Sequence, residues 1–223
     1  MSDQQQLRLS LLKSLNNTRK GIILMLIGFA VGAVPGLSAF GGLLQIFGII
    51  FVIAGRGAFL GGHRRMVPIS MVLLLLAIAV MVPADLRFSA AVSSGSSLMS
   101  NFSFAGLLKV LTPYLYSAAV AYPLYFGSFL SLAYFLVRGW ERKALWGIYG
   151  LTVIIALWML YDAMSSVMAL YSSAVTYSSV EELSSALSPI KIFPSLINLL
   201  WFFAYLMVYG SLRGVISEAR QAA

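Results

Sequence analysis

Basic side chains alternate from one side to the other of six long apolar stretches, at 21–37, 38–58, 66–84, 110–137, 144–166 and 190–212. Lys and Arg resist translocation, so the flanks that collect them stay in the cytoplasm. Twelve of the fifteen fall on one side: Arg8, Lys13, Arg19, Lys20, Arg56, Arg64, Arg65, Arg138, Arg142, Lys143, Arg213 and Arg220. The other side takes Arg87, Lys109 and Lys191. The pattern predicts an all-α polytopic bundle of about six spans over 21–223, multi-pass in the cell membrane, with both termini cytoplasmic.

Composition agrees. A chain that is 60% hydrophobic and 10% charged has too little polar surface to coat a soluble domain of 223 residues. Its net charge of +8 would suit nucleic acid in a soluble protein. Here the excess sits on the cytoplasmic side, where the acids are Asp3, Glu141 and Glu218, while Asp85, Asp162, Glu181 and Glu182 lie outside. Such a charge meets anionic headgroups, so the expected partners are membrane lipids and not nucleic acid. The absence of cysteine excludes disulfides, thiolate catalysis and sulfur-ligated metals, and the single His63 excludes any site needing two histidines.

Span length separates firm helices from tight ones. Residues 66–84 have about the length that crosses roughly 30 Å of hydrocarbon, with Pro68 near the start and Pro83 at the far end. Residues 21–58 must supply two legs and the Pro35-Gly36 turn, so each leg is near the minimum of about 17 residues. They cross twice or form a re-entrant hairpin; length favours crossing, and both return the chain to the side it left. Gly28, Gly32 and Gly36 recur every four residues on the first leg, and Gly41, Gly48 and Gly55 every seven on the second. Each set predicts a face for close helix packing, within the hairpin or in a homo-oligomer. The fourth and fifth stretches are long, roughly 46 Å and 48 Å as helices over 107–137 and 144–175, and overhang the same, outer, side. Pro123 predicts a bend in the fourth, and Tyr161, Met164, Met168, Tyr171 and Val175 give the fifth an amphipathic extension.

Residues 1–20 read as a basic amphipathic interfacial helix, with Ser2 and Gln5 as a capping box and Leu7, Leu11, Leu12 and Leu15 on one face. The apolar run after it is too long for a cleaved signal peptide. The outer segments 85–106 and 176–189 are serine-rich; Ser93-Ser94-Gly95-Ser96-Ser97 suggests a flexible connection, and Asn101-Phe102-Ser103 is a glycosylation sequon. All 11 Tyr and 4 Trp lie from Tyr114 onward, and 13 of the 19 Gly at or before Gly106, so the halves show no inverted repeat.

Ionisable residues inside spans are the usual mark of a transport path, and few occur here. Asp162 comes nearest, about 28 Å along its helix from Lys143 and so close to the outer interface. It suits an interfacial ion pair with Lys109, Lys191 or Arg87, or a functional site; a metal-binding cluster with Asp85, Glu181 and Glu182 is not supported by spacing. Tyr125 and Ser128, with Ser117 and Ser131, lie along one side of the fourth span, and Gln45 and Asn198 lie deep in the second and sixth. Such residues either join helices by hydrogen bonds or line a small-solute path. No metalloprotease, nucleotide-binding, nucleophile-elbow or dinucleotide motif occurs, so neither enzymatic activity nor a cofactor is expected.

The Gly-rich hairpin followed by Arg56, His63 and Arg64-Arg65 resembles stretches of small multi-span membrane proteins of unknown function, many of them archaeal. The likeness covers about residues 20–80, and it implies a polytopic membrane protein with no assigned activity. The scarcity of buried charge favours a non-catalytic subunit or scaffold of a membrane complex, joined to a partner subunit or to copies of itself. The competing reading is a transporter or channel for a small solute or ion, with its path along the bent fourth span.

Overall fold

The computed structural model describes residues 3–58, 62–97, 104–172 and 188–221, and the regular structure within them is entirely helical. In chain order the helices are α1 (Asp3–Gly32), α2 (Ser38–Ala54), α3 (Gly62–Ser97), α4 (Phe104–Ala133), α5 (Trp140–Ser172) and α6 (Ser188–Gln221), with a single 3₁₀ turn at Arg56–Ala58. Four contain segments long and apolar enough to cross a membrane: Arg65–Ala90, Leu111–Ala133, Trp140–Asp162 and Phe193–Ser217.

The remaining two of the six expected spans differ. Arg19 and Lys20 lie within α1 and confine its apolar run to Gly21–Gly32, about 18 Å at 1.5 Å per residue. α2 has 17 residues and reaches about 25 Å, against roughly 30 Å of hydrocarbon. Nor does α1 break between the stretch read as an interfacial helix and the apolar run. Leu15, Thr18, Ile22, Met25 and Phe29 form one buried stripe through the junction, spaced by three or four, so the same face stays packed and the helix continues.

α3 also outlasts the sequence pattern. Pro83 does not end it: a proline removes only one helical hydrogen bond, and the helix continues to Ser97. Residues 85–97 are therefore helical, not a flexible connection. Asn101 and residues 176–187, with Glu181 and Glu182, lie outside the described residues. α4 and α5 are long, at 30 and 33 residues, and α4 continues unbroken through Pro123.

α1, α4, α5 and α6 surround an aromatic core, which α2 flanks from behind α1 and α3 from behind α4. Phe29 of α1 meets Phe129 at 5.0 Å and Tyr205 at 5.2 Å between ring centroids, and Trp201 stacks on Phe126 at 5.4 Å. Two polar tips within this core are satisfied: Trp201 donates to Thr152 Oγ1 at 2.9 Å, and the Tyr205 hydroxyl to the Phe129 carbonyl at 2.9 Å. The α4–α5 turn is fastened by charge. Gly139 there takes φ 58°, and Arg142 Nε donates to the Tyr134 and Val137 carbonyls at 3.1 and 2.9 Å. Glu141, in the first turn of α5, accepts the Ser211 hydroxyl at 2.6 Å and so ties α5 to α6.

The α1–α2 hairpin is held by backbone contact. A methyl group at Gly28 would lie 2.8 Å from the Gly41 carbonyl oxygen, and one at Gly48 would lie 2.7 Å from that of Gly21. Both distances are shorter than a carbon tolerates. Gly42, by contrast, has nothing within 4 Å. Gly48→Leu is therefore expected to cost at least ~1–3 kcal/mol and lower the midpoint of thermal unfolding in detergent by several degrees, with Gly42→Leu close to wild type. Equal midpoints for the two variants would contradict the packing.

Candidate functional site

A polar cluster lies where four helices meet. Asn198, from the second turn of the apolar part of α6, donates through Nδ2 to the Gly32 carbonyl at 3.2 Å and to the Pro194 carbonyl of its own helix at 2.9 Å. Its Oδ1 accepts from Gln45 Nε2 of α2 at 3.2 Å, and Gln45 Oε1 in turn accepts the hydroxyl of Tyr125 on α4. The Gly32 carbonyl ends α1, where the helix leaves its last four carbonyls without intrahelical partners. Asn198 supplies one such partner. Gln45 is buried at 2% exposure, so each lost bond here strands a group away from water.

Of the positions singled out in the sequence, Tyr125, Gln45 and Asn198 come together. Ser128 does not join them: its hydroxyl donates to the Tyr125 carbonyl at 2.6 Å, within α4. Ser131 bonds the Gly127 carbonyl at 2.8 Å in the same way. Asp162 stands apart, half-buried at the end of the α5 span. His63 falls in the first turn of α3 and not in a loop. Among the described residues, no three His, Asp or Glu side chains group to hold a metal.

The glycines divide into two sets. Gly28, Gly32, Gly41, Gly48 and Gly55 lie at close contacts, Gly32 against the Asn198 amide as well as Gly41, and Gly55 against the Ser14 carbonyl. Gly36 is off that face; it makes the turn, at φ 86°, a backbone region that favours glycine. Gly21 belongs to the contact face although the four-residue spacing passes over it. The signal was a seven-residue spacing, Gly21 to Gly28, matched by Gly41 to Gly48 on the antiparallel leg. Thr152 and Trp201 were also missed, since a threonine and a tryptophan inside apolar runs carry no mark of pairing.

A cleft of about 260 Å³ opens between α3 and α4. Asp85 stands at one end and Tyr125 at the other, with Ala77, Met81 and Ala121 among the apolar walls. Near its mouth Phe88 stacks on Tyr114 at 4.7 Å, and this pair packs with Leu111, Leu115, Leu160 and Met164 as a second small core. The cleft and the cluster thus share Tyr125, whose hydroxyl is already donated to Gln45.

No protein-family model, curated protein or solved structure matches this chain, so the cluster has to be judged on its own residues. Its chemistry is that of a hydrogen-bonded joint, with amide and phenol groups and no charged member. A double-mutant cycle of Gln45→Ala and Asn198→Ala, read by unfolding in detergent, is expected to give a coupling of roughly 0.6–1.7 kcal/mol, the range for such bonds between membrane helices. Strict additivity would mean that the two side chains do not act together.

Proposed function

We propose that the protein is a non-catalytic subunit or scaffold of a membrane complex. The observation that carries this reading is the internal pairing of polar groups in the bundle: Tyr125, Gln45 and Asn198 join in one hydrogen-bonded chain that ends on the backbone, and Thr152, Trp201 and Tyr205 are paired within the core. Among the described residues, Arg19 Nε and Ser70 Oγ are the buried side-chain polar atoms without a partner, and neither belongs to the cluster. A solute path needs polar groups that exchange partners with the passing solute. On the side of α4 where such a path would run, Tyr125, Ser128 and Ser131 turn their hydroxyls inward or along their own backbone. What the fold offers outward is apolar helix surface, including Phe40, Leu43, Phe47 and Ile50 in a stripe on α2 and Trp158 and Tyr161 on α5. Such faces suit lipid and partner helices.

Extraction in a mild detergent is expected to yield an assembly larger than one chain, either several copies or a complex with a second membrane protein. A lone chain of 24.2 kDa, free of partners at native expression, would remove the scaffold reading.

We also infer a cytoplasmic-membrane location with both termini in the cytoplasm and the α1–α2 hairpin crossing as a tight pair. The basic residues at its base, Arg19, Lys20 and Arg56, support this by snorkelling where short legs meet the interface. Reporter fusions at Met1 and Ala223 are expected to read cytoplasmic, and one inserted at Gly36 to read external. A cytoplasmic signal at Gly36 would make the hairpin re-entrant; opposite signals at the two ends would overturn the topology.

A further inference from the structure

At the end of the bundle that carries Arg19, a crevice of about 440 Å³ lies between the amino-terminal half of α1 and the last turns of α6. On the α1 side polar Lys13, Asn16 and Arg19 interleave with apolar Leu9, Leu12 and Leu15, and Ile216 lines it from α6. Arg19 is half-buried and incompletely paired. Its Nη2 donates to the Tyr209 hydroxyl at 3.3 Å, and its guanidinium carbon lies 6.0 Å from the centre of that ring. Its Nε is shielded from solvent and has no hydrogen-bond partner. Arg19 lines the crevice with no ion pair among the described residues, and an anion entering there would supply one.

Among the described residues that line the crevice none is acidic. Glu141, at the α4–α5 turn, is engaged by Ser211 and the Arg138 amide. Exposed Lys20 and Arg213 add positive potential at the same end. We propose that this crevice binds the phosphate of an anionic phospholipid, with Arg19 and Lys13 on the headgroup and an acyl chain along Leu9, Leu12 and Ile216. A lipid fits better than free phosphate because leucine and isoleucine side chains share the lining with the basic ones. The crevice also opens at the end of the Phe193–Ser217 apolar segment, where acyl chains give way to headgroups. The site is independent of whether the protein acts as a scaffold.

The test uses the full chain in mild detergent, offered equal amounts of phosphatidylglycerol and phosphatidylcholine, with retained lipid counted by native mass spectrometry. Wild type is expected to retain phosphatidylglycerol severalfold over phosphatidylcholine, and Arg19→Gln and Lys13→Gln each to lower that preference roughly fivefold or to parity. Equal retention by wild type, or a preference unchanged in both variants, overturns the site. Arg19 also bonds Tyr209, so Arg19→Gln carries a folding risk; Lys13→Glu changes an exposed side chain and gives the same reading alone, with an unchanged preference again refuting it. Heat protection by inorganic phosphate equal to that by phosphatidylglycerol would assign the crevice to a soluble anion and overturn the lipid.

Discussion

The end of α1 sets the terms for the rest of the bundle. A helix that stops inside a protein packed for lipid leaves carbonyls that must find partners, and at the end of α1 the Ala33 and Val34 amides take those of Phe29 and Val31. At Gly32 the answer comes from α6, through the Asn198 amide, which Gln45 of α2 then holds in place while Tyr125 of α4 holds Gln45. One termination problem thus ties together four helices. The arrangement also requires α2 to lie against α1 closely enough for Gln45 to reach, and glycine at Gly28 and Gly41 removes the side chains that would hold the helices apart.

The aromatic core builds on that joint. Phe29 lies one helical turn from Gly32 on α1, so fixing the end of α1 also fixes the ring that Phe129, Trp201 and Tyr205 surround. These large side chains hold the bundle by shape, and the two with polar tips find acceptors in Thr152 and the Phe129 backbone. Hydrophobic driving force is weak between helices already surrounded by lipid, so close packing and bonds of this kind carry most of the association. Isolated polar residues such as Thr152 therefore weigh more here than their number suggests.

What was legible in the chain follows from which signals are local. Helix and membrane character were plain, because they are sums over long apolar runs, and Gln45, Tyr125 and Asn198 stood out as polar residues in such runs. Their meeting was not legible: it depends on the register of α2 against α1 and of α6 against both. The helix limits misled for a related reason. Pro83 is a local stop signal, but α3 keeps Phe88 stacked on Tyr114 beyond it, and that contact lies far off in sequence. Likewise Arg19 and Lys20 mark a change of polarity along α1 without marking a change of structure, because the buried stripe from Leu15 to Phe29 runs straight past them.

Two contacts between α1 and α6 measure depth along the bundle. Arg19 meets Tyr209, and Gly32 meets Asn198, so the intervening stretches cover about 20 Å on α1 and about 17 Å on α6. If the Arg19 level marks the headgroup boundary, as its charge and the adjoining crevice favour, the polar cluster lies beyond the middle of a hydrocarbon layer of roughly 30 Å. Water is scarce at that depth, and a stranded amide has no alternative partner.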